Sequence, residues 1–296
     1  MRRIARTLGP LAIALTLLTV ACSRSRPPIE ARPALWRVAD ADTTIWLFGS
    51  IHALPPGVAW ETPVVERAIA AADTLILEVP PVDAGVARAE FLAVARRDGL
   101  PPILERVPQG QRAALVRGID AADLSAWELD TLETWAAALT IGAAAGRQAE
   151  ASSADGVEPV LTARFAGKAI GALETRGGQF AAFARLPEAS QRLLLLHAAG
   201  AARDPASGYR RLLAAWAAGD EGALAATIAP LRGDPAIIAA LVTERNARWA
   251  SAIVRRMARP GRVFVAVGAG HLVGAGSVVA MLRARGWRVE RVERVE

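Results

Sequence analysis

The sequence predicts an α/β protein, with a central, largely parallel sheet, a strand-then-GxxH motif near each end of the chain and a helical cap inserted between them. Three observations carry this. Thr43-Thr44-Ile45-Trp46-Leu47-Phe48 is a β-branched and aromatic run that ends in Gly49-Ser50-Ile51-His52. Arg262-Val263-Phe264-Val265-Ala266-Val267 runs in the same way into Gly268-Ala269-Gly270-His271. A strand, helix, strand order follows the first motif, and that order implies a right-handed crossover between parallel strands. Parallel strands share a carboxyl edge, where open α/β sheets bind ligands, so His52 and Glu78 are expected near one rim, with each motif histidine in the loop just beyond its strand's carboxyl end. Gly49 and Gly268 let the backbone turn or approach a neighbour closely.

In chain order, residues 1–22 combine a basic start, an apolar stretch over 11–20 and Ala21-Cys22. The apolar run is shorter than the ~20 residues a spanning helix needs, so this is the anatomy of a secretory signal, and export is expected. Leu17-Leu18-Thr19-Val20-Ala21-Cys22 also resembles a bacterial lipobox, in which Cys22 becomes the lipid-modified first residue. The product is then either lipid-anchored in the cell envelope or soluble in the periplasm. Cys22 is the only cysteine. That excludes an internal disulfide, a Cys-based zinc site and a cysteine nucleophile in the folded body. Residues 23–34 are polar and proline-bearing and read as a linker, with the folded domain over 35–296.

At 53% hydrophobic and 22% charged, 296 residues are enough to bury a large core. The formal charge of +6 falls to +3 without Arg2, Arg3 and Arg6 of the leader. The remaining arginines are dispersed among acids, and no basic run is interleaved with aromatics, which argues against a nucleic-acid partner.

Residues 35–38 and 43–48 form a hairpin leading into the first motif. A helix over 62–73 carries Pro63 early, where a helix tolerates it, and 74–79 is a strand. Glu78 is a lone carboxylate in that apolar strand, either at an edge or paired with one of the arginines. The stretch from 83 to about 231 is rich in alanine and leucine at helical spacing and reads as the cap. Within it, residues 168–174 form an apolar strand ending in Glu174. Trp127 and Trp135 are expected to line a core or groove, and His197, on an apolar helix, a core or boundary position. The span 236–259 is one amphipathic helix whose inner stripe includes Leu241, Arg245 and Trp249. An inward arginine needs an anionic partner, either a buried acid or a substrate. A short helix over 276–285 and a strand over 287–292 close the chain.

Two histidines and one or two glutamates on one sheet edge can build a nitrogen and oxygen site for Zn²⁺, Mn²⁺, Co²⁺ or Fe²⁺, whose bound water serves as a nucleophile. Leu35-Trp36-Arg37-Val38, the run from Trp46 to His52, Leu77-Glu78, Leu173-Glu174-Thr175 with Gln179, Glu244-Arg245-Asn246, and the run from Phe264 to Leu272 with Gly274 together resemble the TraB/GumN family. That family is related to the TIKI metalloproteases, and more distantly to haem-binding ChaN-type lipoproteins and erythromycin esterase-like folds. The resemblance implies a metal-dependent hydrolase, most plausibly a peptidase, using a divalent Mn, Co or Zn ion. It gives His52, His271 and Glu78 as metal ligands, and Glu78, Glu174, Arg245 and Asn246 as catalytic residues. Here Glu158 follows Gly156-Val157 where relatives usually carry an aspartate, and Gly177-Gly178 stands where acids are common. The expected partner is a peptide or other envelope substrate, with membrane contact only through a lipid on Cys22. The alternative is a non-catalytic envelope protein that binds haem, a glycan or another anion, using Arg245 and Trp60.

Overall fold

A computed structural model describes residues 29–227, 229 and 233–293; the leader and Cys22 lie outside the described residues. Strands β1 (Ile29–Glu30), β2 (Leu35–Ala39), β3 (Thr43–Ser50), β4 (Val58–Ala59), β5 (Thr74–Leu77), β6 (Ala169–Ala172), β7 (Gly261–Gly268) and β8 (Val289–Arg291) alternate with helical segments. Six of them form one sheet in the order β6-β5-β7-β3-β2-β8. β6, β5, β7 and β3 run parallel, while β2 and β8 are antiparallel additions at one side. The β2–β3 hairpin closes at Asp40, whose Oδ1 accepts from the Thr43 and Asp42 amides at 2.9 and 3.2 Å. The stretch expected to be a linker is already part of the fold: β1 pairs with β4, and Ala31 is buried.

Helix α1 (Pro63–Ala71) makes the crossover. Thr62 caps it by accepting from the Val65 amide, Pro63 sits where no amide is needed, and Val65, Ala68 and Ile69 turn inward. It carries the chain past the slot that β7 fills much later, so β7 separates β3 from β5. On one face of the sheet Phe48 and Phe264 pack on Trp60, Trp216 and Phe165. Trp60 is therefore a core residue, 4% exposed, and not a ligand-binding loop side chain.

The remaining helices are α2 (Ala84–Ala95), α3 (Gln109–Ala121), α4 (Ala126–Asp130), α5 (Thr134–Gln148), α6 (Val157–Arg164), α7 (Arg176–Ala184), α8 (Glu188–Ala202), α9 (Pro205–Ala217), α10 (Glu221–Thr227), α11 (Pro235–Ile238), α12 (Glu244–Met257) and α13 (Val278–Ala284). The expected 83–231 insert divides in two. Trp135, Leu115, Ile141 and Leu195 build a separate helical core, whereas Leu161, Phe165 and Trp216 join the core of the sheet. Alanine and leucine at helical spacing mark a buried face without saying which core receives it. Two side chains depart from expectation: Trp127 is 74% exposed, and His197 is exposed on α8. The expected 236–259 helix is continuous but contains a π-helical turn, Ala239–Thr243, between α11 and α12.

Candidate active site

The strand order dictates the order of functional groups along the carboxyl edge. Register pairs Ser50 with Gly268, and Leu77 with both Ala266 and Ala172. Reading across β6, β5, β7 and β3, the groups just past the strand ends are Glu174, Glu78, Gly268 with His271, and His52. The two GxxH motifs meet as expected. Neither motif glycine has a positive φ, so close approach explains them rather than a turn. A Cβ on Gly49 would stand 3.0 Å from Ala269. One on Gly268 would stand 3.1 Å from Glu78 Oε1, 3.7 Å from His271 Cδ2 and 3.8 Å from His52 Nε2. The bare Cα of Gly268 is the floor on which these three side chains converge.

Arg245 is the centre of charge. Its side chain is 6% exposed, and its whole donor set is used. Nη2 donates to Glu78 Oε2 at 2.9 Å and Glu174 Oε1 at 2.6 Å, and Nε donates to Glu174 at 3.1 Å. Nη1 donates to the Leu241 carbonyl at 3.1 Å and to His271 Nε2 at 3.2 Å. The π-helical turn ends at Thr243, two residues before Arg245 in the first turn of α12; such turns recur at functional sites. Trp249, one turn on, places its ring 4.6 Å beneath the guanidinium. The inward arginine thus finds buried acids, and no N–H is left over for a substrate oxyanion.

Because an arginine only donates, His271 Nε2 is the acceptor and Nδ1 carries the proton. Nδ1 donates to Asn246 Oδ1 at 2.7 Å, and Asn246 Nδ2 is anchored on the Gly276 carbonyl at 2.8 Å. Burial, with the nearby cations Arg245 and His52, pushes His271 down to about 4 against the pull of Glu78. It is a neutral imidazole at neutral pH. For Glu78, burial opposes the charge, but His271, His52, Arg245 and the Gly268 amide at 2.7 Å outweigh it and hold the carboxyl below its usual range. With His271 neutral, the cations that act on Glu78 at neutral pH are His52 and Arg245.

His52 is the most accessible member of the site. Its side chain retains 66% of its surface, while Nδ1 lies 2.6 Å from Glu158 Oε1. Ser50 donates to the same oxygen at 2.6 Å. Crowding around the ring opposes its charge, and the Glu158 carboxylate overcomes this, raising His52 to about 9. Glu158, noted in the sequence only as standing where relatives usually carry an aspartate, is the member of this edge that was not assigned to the site. It stands in the first turn of α6, and Gly156 lets that turn approach, since a Cβ there would fall 2.2 Å from the His52 carbonyl oxygen. The signal available in the sequence was an acid two residues after a glycine at a helix start.

The sign of the His52 shift fixes a pH dependence. A raised folded pKa means that the ion pair stabilises fully below the unfolded value, about 6.5, and is lost as pH rises through about 9. Glu158→Gln is expected to bring the His52 titration, followed by imidazole NMR shifts, down from about 9 by more than one unit. An unchanged midpoint would show that Glu158 does not hold the proton.

A cleft of about 870 Å³ opens over this edge, lined by His52, Glu78, Glu158 and Gln179 with Leu77 and Val79. Gln179 donates to Glu78 Oε2 at 3.1 Å. Glu174, Arg245, His271 and Asn246 form the buried support behind it. Among the described residues, no group of three or more His, Cys, Asp or Glu is disposed to hold a metal ion. The donor set gives the reason: His271 Nε2 and Glu78 Oε2 face the Arg245 guanidinium, and Glu78 Oε1 takes the Gly268 amide. A bound cation does not fit these side chains as they are arranged, because Arg245 already occupies that role.

With this geometry in place, comparison with known proteins is decisive on one point. The model described as TraB/PrgY/gumN family matches residues 34–291, nearly the whole chain. The chain belongs to the TraB/PrgY/gumN family. No curated protein and no solved structure matches it. The TraB/PrgY/gumN match contains every residue of the edge described above, from His52 to His271.

Proposed function

We propose that this family member is an exported hydrolase acting on peptides or related acyl compounds of the cell envelope. One observation carries the reading: His52 Nε2 is free in the cleft, held from behind by Glu158 and set beside Glu78 over the bare Cα of Gly268. The two groups have environments that push their proton affinities apart, a common arrangement for an acid and a base working together. His52, charged below about pH 9, donates a proton to the leaving group. Glu78 Oε1 accepts one hydrogen bond, from Gly268, and keeps a second acceptor position for the proton of an attacking water. Arg245 and Glu174 fix the Glu78 carboxylate, and Asn246 fixes His271; these are positioning residues. Export, and lipid attachment through Cys22, rest on the leader.

Turnover of a fluorogenic peptide library tests this. His52→Ala and Glu78→Gln are each expected to lower kcat at least about 100-fold, the usual scale of general acid or base catalysis. Turnover unchanged in both variants would end the proposal. A second reading rests on the same charge: the His52 imidazolium at the cleft would instead bind an anionic ligand such as haem or a glycan, and saturable binding without turnover in the wild type would favour it.

A divalent Mn, Co or Zn ion, implied by the family resemblance, requires Arg245 to withdraw from His271. Metal analysis after reconstitution is expected to find less than about 0.1 equivalent bound, because the guanidinium repels a second cation. Stoichiometric metal lost in both His52→Ala and His271→Ala would overturn that expectation.

A further inference from the structure

A second cavity shares no lining residue with the cleft around His52. It is a groove of about 280 Å³ between α12 and the β5–β6 side of the sheet. Ile45, Ile76, Leu173 and Val265 line its sheet side, and Ile253 of α12 stands opposite. Ile76 is in register with Gly171 and Val265, and a Cβ on Gly171 would meet only Ile76, at 3.9 Å. β6 is the outermost strand, exposed along its whole length, so the groove is open at the edge of the sheet. Ile76 and Leu173 are therefore only half-buried at this edge, whereas Ile45, Val265 and Ile253 are packed in the core.

One end of the groove is basic. Arg255, Arg256 and Arg259 line it where α12 ends. Arginines in a last helical turn commonly serve the helix's own carbonyls and dipole. Arg256 is committed locally, donating to the Arg259 carbonyl just past the helix end at 2.5 Å. Arg255 and Arg259 are exposed, and their guanidinium groups have no hydrogen-bond or ion-pair partner among the described residues. Two uncommitted guanidinium groups thus border an unfilled apolar trough.

The trough is lined by β5 only at Ile76, next to Ala172 and Leu173 at the end of β6. Its volume lies just below the ~300 Å³ at which pockets for larger ligands begin, which suits one chain and not two. A guanidinium fork matches a carboxylate in geometry and charge, and an alkyl chain laid on the floor removes apolar surface from water. We propose that this groove binds a medium-chain carboxylate, with the alkyl chain along Ile76 and Leu173 and the carboxylate on Arg255 and Arg259. The ligand class follows from the groove alone and does not depend on the hydrolase reading.

The test uses the chain from Ser23 onward and decanoate below its micellar concentration. Calorimetry is expected to show saturable binding of decanoate, with decanol and acetate each at least about tenfold weaker, since each lacks one half of the interaction. Methyl NMR should move Ile76 and Leu173 on titration. Arg255→Gln with Arg259→Gln should weaken decanoate at least about tenfold, while His52→Ala leaves it unchanged. Both arginines are exposed, so the melting temperature of the double variant should match the wild type; if it does not, Arg255→Gln alone serves. Equal affinity for decanol, unchanged affinity in the arginine variant, shifts confined to the His52 cleft, or binding to anionic vesicles with none to decanoate would each overturn the proposal.

Discussion

Replacing Arg245 with methionine is expected to cost about 3–5 kcal/mol of folding stability at neutral pH, the range found when one partner of a buried ion pair is removed. The packing argues for the upper part of that range. The Arg245, Glu78 and Glu174 side chains are 6%, 7% and 10% exposed, so both carboxylates lose their shared partner where water does not replace it. The cost should also depend on pH. Glu78 is held below its usual range in the folded protein, so it contributes stability above the unfolded carboxylate value, and that contribution is lost as pH falls through the folded value. Without Arg245 the folded value rises, and protonation then relieves the variant. Urea denaturation should show a large gap between wild type and Arg245→Met at pH 7 and a smaller one at pH 4. Adding Glu78→Gln and Glu174→Gln should recover part of the loss, since removing a whole buried charge cluster is often close to neutral. A single variant within about 1 kcal/mol of the wild type would show that Arg245 is not the clamp described.

Much of this site was legible because parallel strands convert sequence order into spatial order. Glycine at a strand end and histidine three residues on are local features, and strand register alone then brings His52, Glu78, Glu174 and His271 to one edge. Arg245 was legible as inward-facing from its phase on α12. What periodicity leaves open is which of two possible anions it meets, because the answer depends on side-chain direction at the ends of β5 and β6. Glu158 is harder still. It approaches His52 across 106 positions of sequence, through a helix whose first turn is admitted by one missing Cβ. Only the glycine at the N-cap of α6 hints at that approach.

The misplaced aromatics and histidine share another cause. Trp60 and Trp127 both lie near loops or short helices, yet Trp60 packs on Phe48 at 5.4 Å and Trp127 faces solvent. His197 lies on an apolar helix whose buried stripe is Leu195, Ala199 and Ala202, and the histidine falls outside it. Helical spacing fixes which residues share a stripe, and only packing decides which stripe is covered.

Gly156→Ala is expected to disable the His52 pair through backbone sterics alone. The residue has φ −62° and ψ 162°, which any L-residue adopts, so alanine meets no conformational penalty. In open space such a change would stabilise the protein by about 0.4–1 kcal/mol through the unfolded state. Here the new methyl would fall 2.2 Å from the His52 carbonyl oxygen and 2.7 Å from its carbonyl carbon, so the start of α6 or the GxxH loop must move. Overpacking of this kind costs about 1–3 kcal/mol. Because Glu158 stands two residues along that same turn, the displacement lengthens its 2.6 Å contact with His52 and releases the proton it holds. Imidazole NMR should then show the His52 midpoint well below about 9, with peptide turnover reduced together with it. Gly177→Ala is the matched control, since a Cβ there meets nothing within 4 Å, and its stability should be equal to or slightly above that of the wild type. If Gly156→Ala behaved like Gly177→Ala in both stability and His52 titration, the close approach of α6 would not be what sets the charge at the cleft.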